Sequence, residues 1–142
     1  MTGPYVLDCS VTMAWFFPTE AGATTDALLD SLTAGANAVV PLHWALEVGN
    51  TLLAGERHKR CTIAESAQFL GLLGALAIEA DPDTAARAPG ESIALARSHS
   101  LTHYDAAYLE LGARRNLPLA TLDRALRTAA RKLGLAVLPE RI

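Results

Sequence analysis

Four acidic residues stand where this chain could do chemistry: Asp8 closing "YVLD", Glu47 in "HWALEVGN", Asp105 in "LTHYDAAY" and Asp123 closing "LPLATLD". Each also has a plain structural explanation. Asp8 could cap a helix or close an Asx turn, with Ser10 as a competing cap. Thr102 and Asp105 have the spacing of a capping box, and Asp123 could cap the helix that opens at Arg124. Glu47 shares a helical stripe with His43, Asn50, Arg57 and His58, which a solvated face would also produce. Glu47 and Asn50 are nonetheless three apart, so both can reach one point. Chance capping does not explain the location the four acids share, because each follows an apolar strand pattern or opens the helix after one.

Carboxylates converging in one cleft repel one another and raise their own pKa values unless a cation neutralises them. A hard divalent ion does so. Mg²⁺, with Mn²⁺ as a substitute, takes oxygen ligands, keeps several waters and binds phosphates. Such a site hydrolyses a phosphodiester by activating and orienting a water and by stabilising charge on the attacking and leaving oxygens. Ser10, Asn50 and Thr121 would support it, Thr121 by orienting Asp123. Other chemistries find less. His99 and His103 are four apart, but Ser100 to Thr102 reads as a break between helices, which argues against a zinc pair. Gly-rich phosphate loops and nucleophile elbows are missing from the sequence.

The elements that must position the four acids follow from periodicity. "YVLD", "AVVP", "LAIEAD", "LPLAT" and "LAVLP" read as buried strands. Helical patterns run over about 10–17, 24–32, 42–58, 63–73, 83–98, 102–116 and 123–133, and Gly134 fits a helix C-cap. Strands separated by helices imply parallel crossovers, hence an α/β fold: a three-layer α/β/α sandwich around a parallel sheet of four to five strands. Ligand sites of such sheets gather outside the carboxyl ends of the strands, where Asp8 and Asp123 fall.

The chain of 142 residues fits one domain, 1–142, and its 51% hydrophobic and 19% charged residues exclude disorder. Cys9 and Cys61 form neither a CxxC pair nor a disulfide framework, which points to a reducing compartment. No leader is read in "MTGPYVLDCS", and the longest apolar run, 69–78, is too short to span a membrane, so a cytoplasmic location is expected. The net charge of −3 excludes a surface that coats nucleic acid generally. Local basic patches are possible at "ERHKR" (56–60), at Arg114 with Arg115, and along Arg124, Arg127, Arg131 and Lys132.

Together "YVLDCSVTMAWFFPTE", "PLHWALEVGNTLL", "LTHYDAAYLELGARRNLPLATLDRAL" and "AARKLGLAVL" resemble the PIN-domain family, especially the VapC-type toxins of bacterial toxin–antitoxin pairs. The resemblance spans nearly the whole chain in the family's order; only about 61–90 matches in pattern alone. It implies that Asp8, Glu47, Asp105 and Asp123 form an acidic metal site supported by Ser10, Asn50 and Thr121. It further implies a Mg²⁺- or Mn²⁺-dependent endoribonuclease, a homodimer, an RNA substrate and a small VapB-type antitoxin. Two alternatives remain within the fold: a housekeeping PIN nuclease without an antitoxin, and a module that only binds RNA or protein. A phosphatase of the haloacid-dehalogenase type would want an aspartate where Ser10 stands.

Overall fold

The computed structural model describes residues 3–142; Met1 and Thr2, part of the stretch read as lacking a leader, lie outside them. Five strands form one parallel sheet: β1 (Tyr5–Leu7), β2 (Ala38–Val40), β3 (Ile78–Ala80), β4 (Leu119–Ala120) and β5 (Val137–Leu138). Their order is β3-β2-β1-β4-β5. The three inner strands, β1, β2 and β4, are buried at every residue, as their unbroken apolar runs require of strands covered on both faces. The weak pattern of "LAIEAD" has its reason in position: β3 is an edge strand, half-buried at Ile78 and exposed at Glu79 and Ala80, yet it pairs in register with β2.

Helices α1 (Cys9–Ala14), α2 (Ala23–Thr33), α3 (Trp44–Arg57) and α4 (Ile63–Gly74) lie in the crossovers that step from β1 out to β3. The chain then returns past β1 through α5 (Thr84–Arg87), α6 (Ile93–His99) and α7 (His103–Arg115) to β4, and through α8 (Arg124–Lys132) to β5. Right-handed crossovers in opposite directions put the two sets on opposite faces. α1 packs against α3, and α7 lies on β1 and β4 and against α8, as that layering demands. Gly112 lets α7 come close, since a Cβ there would stand 3.3 Å from Leu135 and 3.4 Å from the Leu117 carbonyl. Gly134 follows α8 at φ 76°, the left-handed conformation its place in the sequence implied.

One helical reading needs correction. The pattern over 83–98 is not a single α-helix, because a π turn, Ala88–Ser92, separates α5 from α6. Pro89 supplies the reason, since it lacks the N–H an α-helix needs. The Ala88 carbonyl in that turn accepts a bond from His103 Nε2 at 2.9 Å. His103 therefore has a structural partner, and Ser100 at φ 53° breaks the helix between it and His99.

Candidate functional site

The strand order reverses around β1, so the crevice of this sheet opens at the carboxyl ends of β1 and β4. Asp8 and Thr121 leave those two ends side by side, with the Asp8 N–H bonded to the Ala120 carbonyl at 2.9 Å. Asp8 occupies the cap position of α1, but its carboxylate caps nothing. Instead Oδ2 accepts a hydroxyl bond from Ser10 at 2.6 Å and another from Thr121 at 2.7 Å. At 6% exposure Asp8 is a buried acid held by two neutral donors and no counter-ion. Burial raises its pKa most strongly, the two hydroxyls oppose that rise, and the Glu47 charge adds to it.

Thr121 plays a different part from the expected one. Its hydroxyl donates to Asp8 and accepts the backbone N–H of Asp123 at 3.1 Å, so it orients the Asp8 carboxylate and fixes only the main chain of Asp123. Ser10 knits the same corner, donating to Asp8 and accepting the Leu122 N–H at 2.9 Å.

Asp123 does cap α8, its Oδ1 accepting the Leu126 N–H at 2.9 Å. For Asp105 the capping explanation fails in an instructive way. At Thr62 and Glu65 the capping box of α4 is complete, with Glu65 Oε1 reaching back to the Thr62 N–H at 2.9 Å. Thr102 and Asp105 have the same spacing, and Thr102 accepts the Asp105 N–H at 3.1 Å, yet the return bond is absent. The shorter acid leaves its carboxylate at the cleft. Burial, then the charges of Asp8 and Asp123, raise the Asp105 pKa, which places Asp105 within the field of both.

Glu47 reaches the site from the first turn of α3. The buried Trp44 indole donates to Thr12 Oγ1 at 3.0 Å and anchors that turn on α1. His43 Nε2 bonds the Tyr104 carbonyl at 3.1 Å and ties the start of α3 to the start of α7 across the sheet edge. Tyr108, fully buried one turn after Asp105, donates its phenol O–H to Glu47 Oε1. Burial keeps that phenol protonated far above neutral pH, so it remains a donor. Tyr108 and Trp44 are positioning residues that spacing did not single out, although "YDAAY" places Tyr108 three after Asp105 on the same face; His43, read on the Glu47 stripe, proves to be a tie between α3 and α7. Asn50, the other expected supporter, is exposed and makes no side-chain hydrogen bond among the described residues.

The structure thus links Asp8 to Glu47, and Asp105 to Asp8 and Asp123, at the carboxyl ends of β1 and β4, with Ser10 and Thr121 bonded to Asp8, and gives Asn50 no part in these contacts. Among the described residues no three Asp, Glu, His or Cys side chains are close enough to enclose a metal ion by themselves. The donor set still fits a hard cation. It is all oxygen, neighbouring acids add to the raised pKa values of Asp8 and Asp105, and Mg²⁺ needs only one or two direct carboxylates when water and phosphate complete its shell. Cys9, beside Asp8, is pushed up to about 12 by burial and then by the charges of Asp8 and Glu47, so it is no thiolate nucleophile.

The PIN-domain profile matches residues 5–132, and the chain belongs to that family. It is similar in fold to the crystal structure of PAE2754 from Pyrobaculum aerophilum, with a TM-score of 0.67 and 23% identity over 96% of this chain and 92% of that one. It is also similar to FitAcB from Neisseria gonorrhoeae, with a TM-score of 0.55 and 18% identity over 96% and 97% of the two chains. A search of curated proteins finds no significant match. Among the described residues no helix is long and apolar enough to cross a membrane.

Proposed function

We propose that this chain is a Mg²⁺- or Mn²⁺-dependent endoribonuclease that acts as the toxin of a VapBC-type pair, with Asp8, Glu47, Asp105 and Asp123 as its metal-binding and catalytic acids. PIN domains are in general nucleases, and the observation that carries the reading is Asp8: a buried carboxylate at the switch point, clamped by Ser10 and Thr121, with the charges of Glu47 and Asp105 nearby. The RNA substrate, the homodimer and a small VapB-type antitoxin rest on the likeness of the motifs to VapC-type toxins.

A divalent cation held by these acids would supply Lewis acidity toward a phosphate and lower the pKa of a water. Asp8 contributes an acceptor that cannot rotate away, because both hydroxyl bonds fall on the same oxygen, Oδ2. Glu47 is held by Tyr108 in the same way, by one oxygen. Asp123 is held at the start of α8 by the Leu126 N–H, and Asp105 is carried in the first turn of α7, so both are placed by helix starts. Hydrolysis therefore relies on carboxylates fixed before substrate arrives, which is where preorganisation lowers a barrier.

Expression of the chain alone arrests growth on this reading, and co-expression of a short neighbouring reading frame relieves it. Harmless expression, with RNA cleavage retained in vitro, would replace the toxin role with a housekeeping nuclease.

A further inference from the structure

Three basic clusters stand out in the sequence; the structure pairs both Arg114 and Arg115, and of 57–60 it pairs Arg60 alone, leaving Arg57 and Lys59 as separate exposed charges. Arg114 and Arg115 are engaged by Asp81 at 2.6 Å and 2.9 Å, and Arg60 lies over the Phe17 ring and meets Glu20. The third cluster is different. Residues 124–142 contain Arg124, Arg127, Arg131, Lys132 and Arg141 against Glu140 as their single acidic residue. None of the five makes an ion pair among the described residues. Arg127 is 3% exposed and bonds only carbonyls, those of Thr121 at 2.8 Å, Pro139 at 2.6 Å and Glu140 at 3.1 Å, so a guanidinium without a counter-ion lies directly behind the end of β4.

On the surface above it, Arg124, Thr128 and Arg131 fall at i, i+4 and i+7, one exposed face of α8. Clefts flank that face on both sides. One of about 500 Å³ lies against Arg124, Arg131 and Arg141, and another of about 360 Å³ against Arg124, Lys132 and His99. Arg131 and Lys132 in the last turn are explained by the helix dipole, but Arg124 is not. It takes the first helical position, where a cation is disfavoured, immediately after Asp123. A charge kept at the wrong end of a helix, beside an acidic cleft, points to a ligand of opposite sign that spans the two.

We propose that the exposed face of α8, led by Arg124 and Arg131, is the track that binds the phosphate backbone of single-stranded RNA and feeds it to the acidic crevice at Asp123. This rests on the ribonuclease reading above. The face starts at the crevice, is positive where the crevice is negative, and runs about 10 Å from Arg124 to Arg131 at the helical rise of about 1.5 Å per residue. Its ligand is thus an extended polyanion, recognised by charge and not by base.

The test uses the full chain carrying Asp105→Asn, so that RNA stays intact, and follows the anisotropy of a fluorescent single-stranded oligoribonucleotide across a salt series. Adding Arg124→Gln with Arg131→Gln is expected to weaken binding tenfold or more and to flatten the slope of log affinity against log salt by about 1.4, at roughly 0.7 per phosphate contact. Arg57→Gln with Lys59→Gln, the same charge change elsewhere, is expected to leave both nearly unchanged. Equal loss in the two pairs, or RNA binding unaffected by the α8 pair, overturns the track while leaving the ribonuclease reading intact. Loss of polyglutamate binding with RNA binding retained overturns it in favour of a protein-docking face. No RNA binding by the Asp105→Asn parent at low salt removes the ribonuclease reading itself.

Discussion

Replacing Tyr108 by Phe removes one oxygen atom and nothing else from the site. The ring keeps its volume in a fully buried position, so no cavity opens, and what is lost is the bond from the phenol to Glu47. A hydrogen bond to a charged group contributes about 1.5–3 kcal/mol. The Glu47 side chain is 32% exposed, so water takes up part of the loss and the lower end applies, about 1–1.5 kcal/mol of stability. The functional effect is expected to be larger than the structural one. Tyr108 is the one hydrogen-bond partner of the Glu47 carboxylate among the described residues, with His43 Nε2 at 3.7 Å as a weaker ionic neighbour. Loss of such a supporting partner typically lowers metal affinity 10–100-fold. Calorimetric titration with Mn²⁺ should therefore show weaker binding in Tyr108→Phe, and cleavage should fall at low Mn²⁺ and recover at high Mn²⁺. Unchanged Mn²⁺ affinity in Tyr108→Phe, alongside lost affinity in Glu47→Gln, would refute the positioning role. A stability loss well above 3 kcal/mol would instead mean that the core had repacked.

Further outcomes follow from the same geometry. Thr121→Val removes a hydroxyl that donates to Asp8 and accepts from Asp123, so it should weaken Mn²⁺ binding and lower the melting temperature together, whereas Asn50→Ala, at an exposed residue without a side-chain bond, should leave the melting temperature unchanged. Arg114→Ala leaves Glu110 buried without its cation and Asp81 with Arg115 alone, and is expected to cost about 3 kcal/mol in denaturant unfolding, with cleavage per folded molecule retained. Asp81 sets an acid limit. Burial pushes its pKa up, but bonds from Arg114, Arg115 and Thr84 outweigh that and hold it at about 2. A depressed folded value means stability that is present above the unfolded value near 4 and lost as pH falls toward 2, about 2 kcal/mol in all. Unfolding measured between pH 5 and 2 should lose that slope in Asp81→Asn.

How much was legible in the sequence depended on whether a signal was local. All five strands could be read because each is a short apolar run with turn or helix signals on both sides, and even edge strand β3 kept Ile78 facing inward. The π turn could not be read from helical periodicity alone, because Pro89 shifts the register only where neighbouring turns can absorb it. The acids were legible as a set because strand ends and helix starts are themselves legible. What each acid is bonded to was not, since those partners lie far away in sequence. Thr121 reaches Asp8 across 113 residues and Tyr108 reaches Glu47 across 61. For that reason local spacing pairs Thr121 with its near neighbour Asp123 and gives Tyr108 no role. The fate of the basic clusters was equally non-local, because Asp81 lies 33 residues from Arg114.

The central claim, that these acids hydrolyse RNA with a divalent cation, is tested most directly by mapping the ends produced from total RNA with Mg²⁺ or Mn²⁺, with chelator, and with Asp8→Asn. Discrete metal-dependent ends that vanish with chelator and in Asp8→Asn, while that variant still unfolds cooperatively, are the predicted result. The same ends at the same rate in chelator, or from Asp8→Asn, would contradict it.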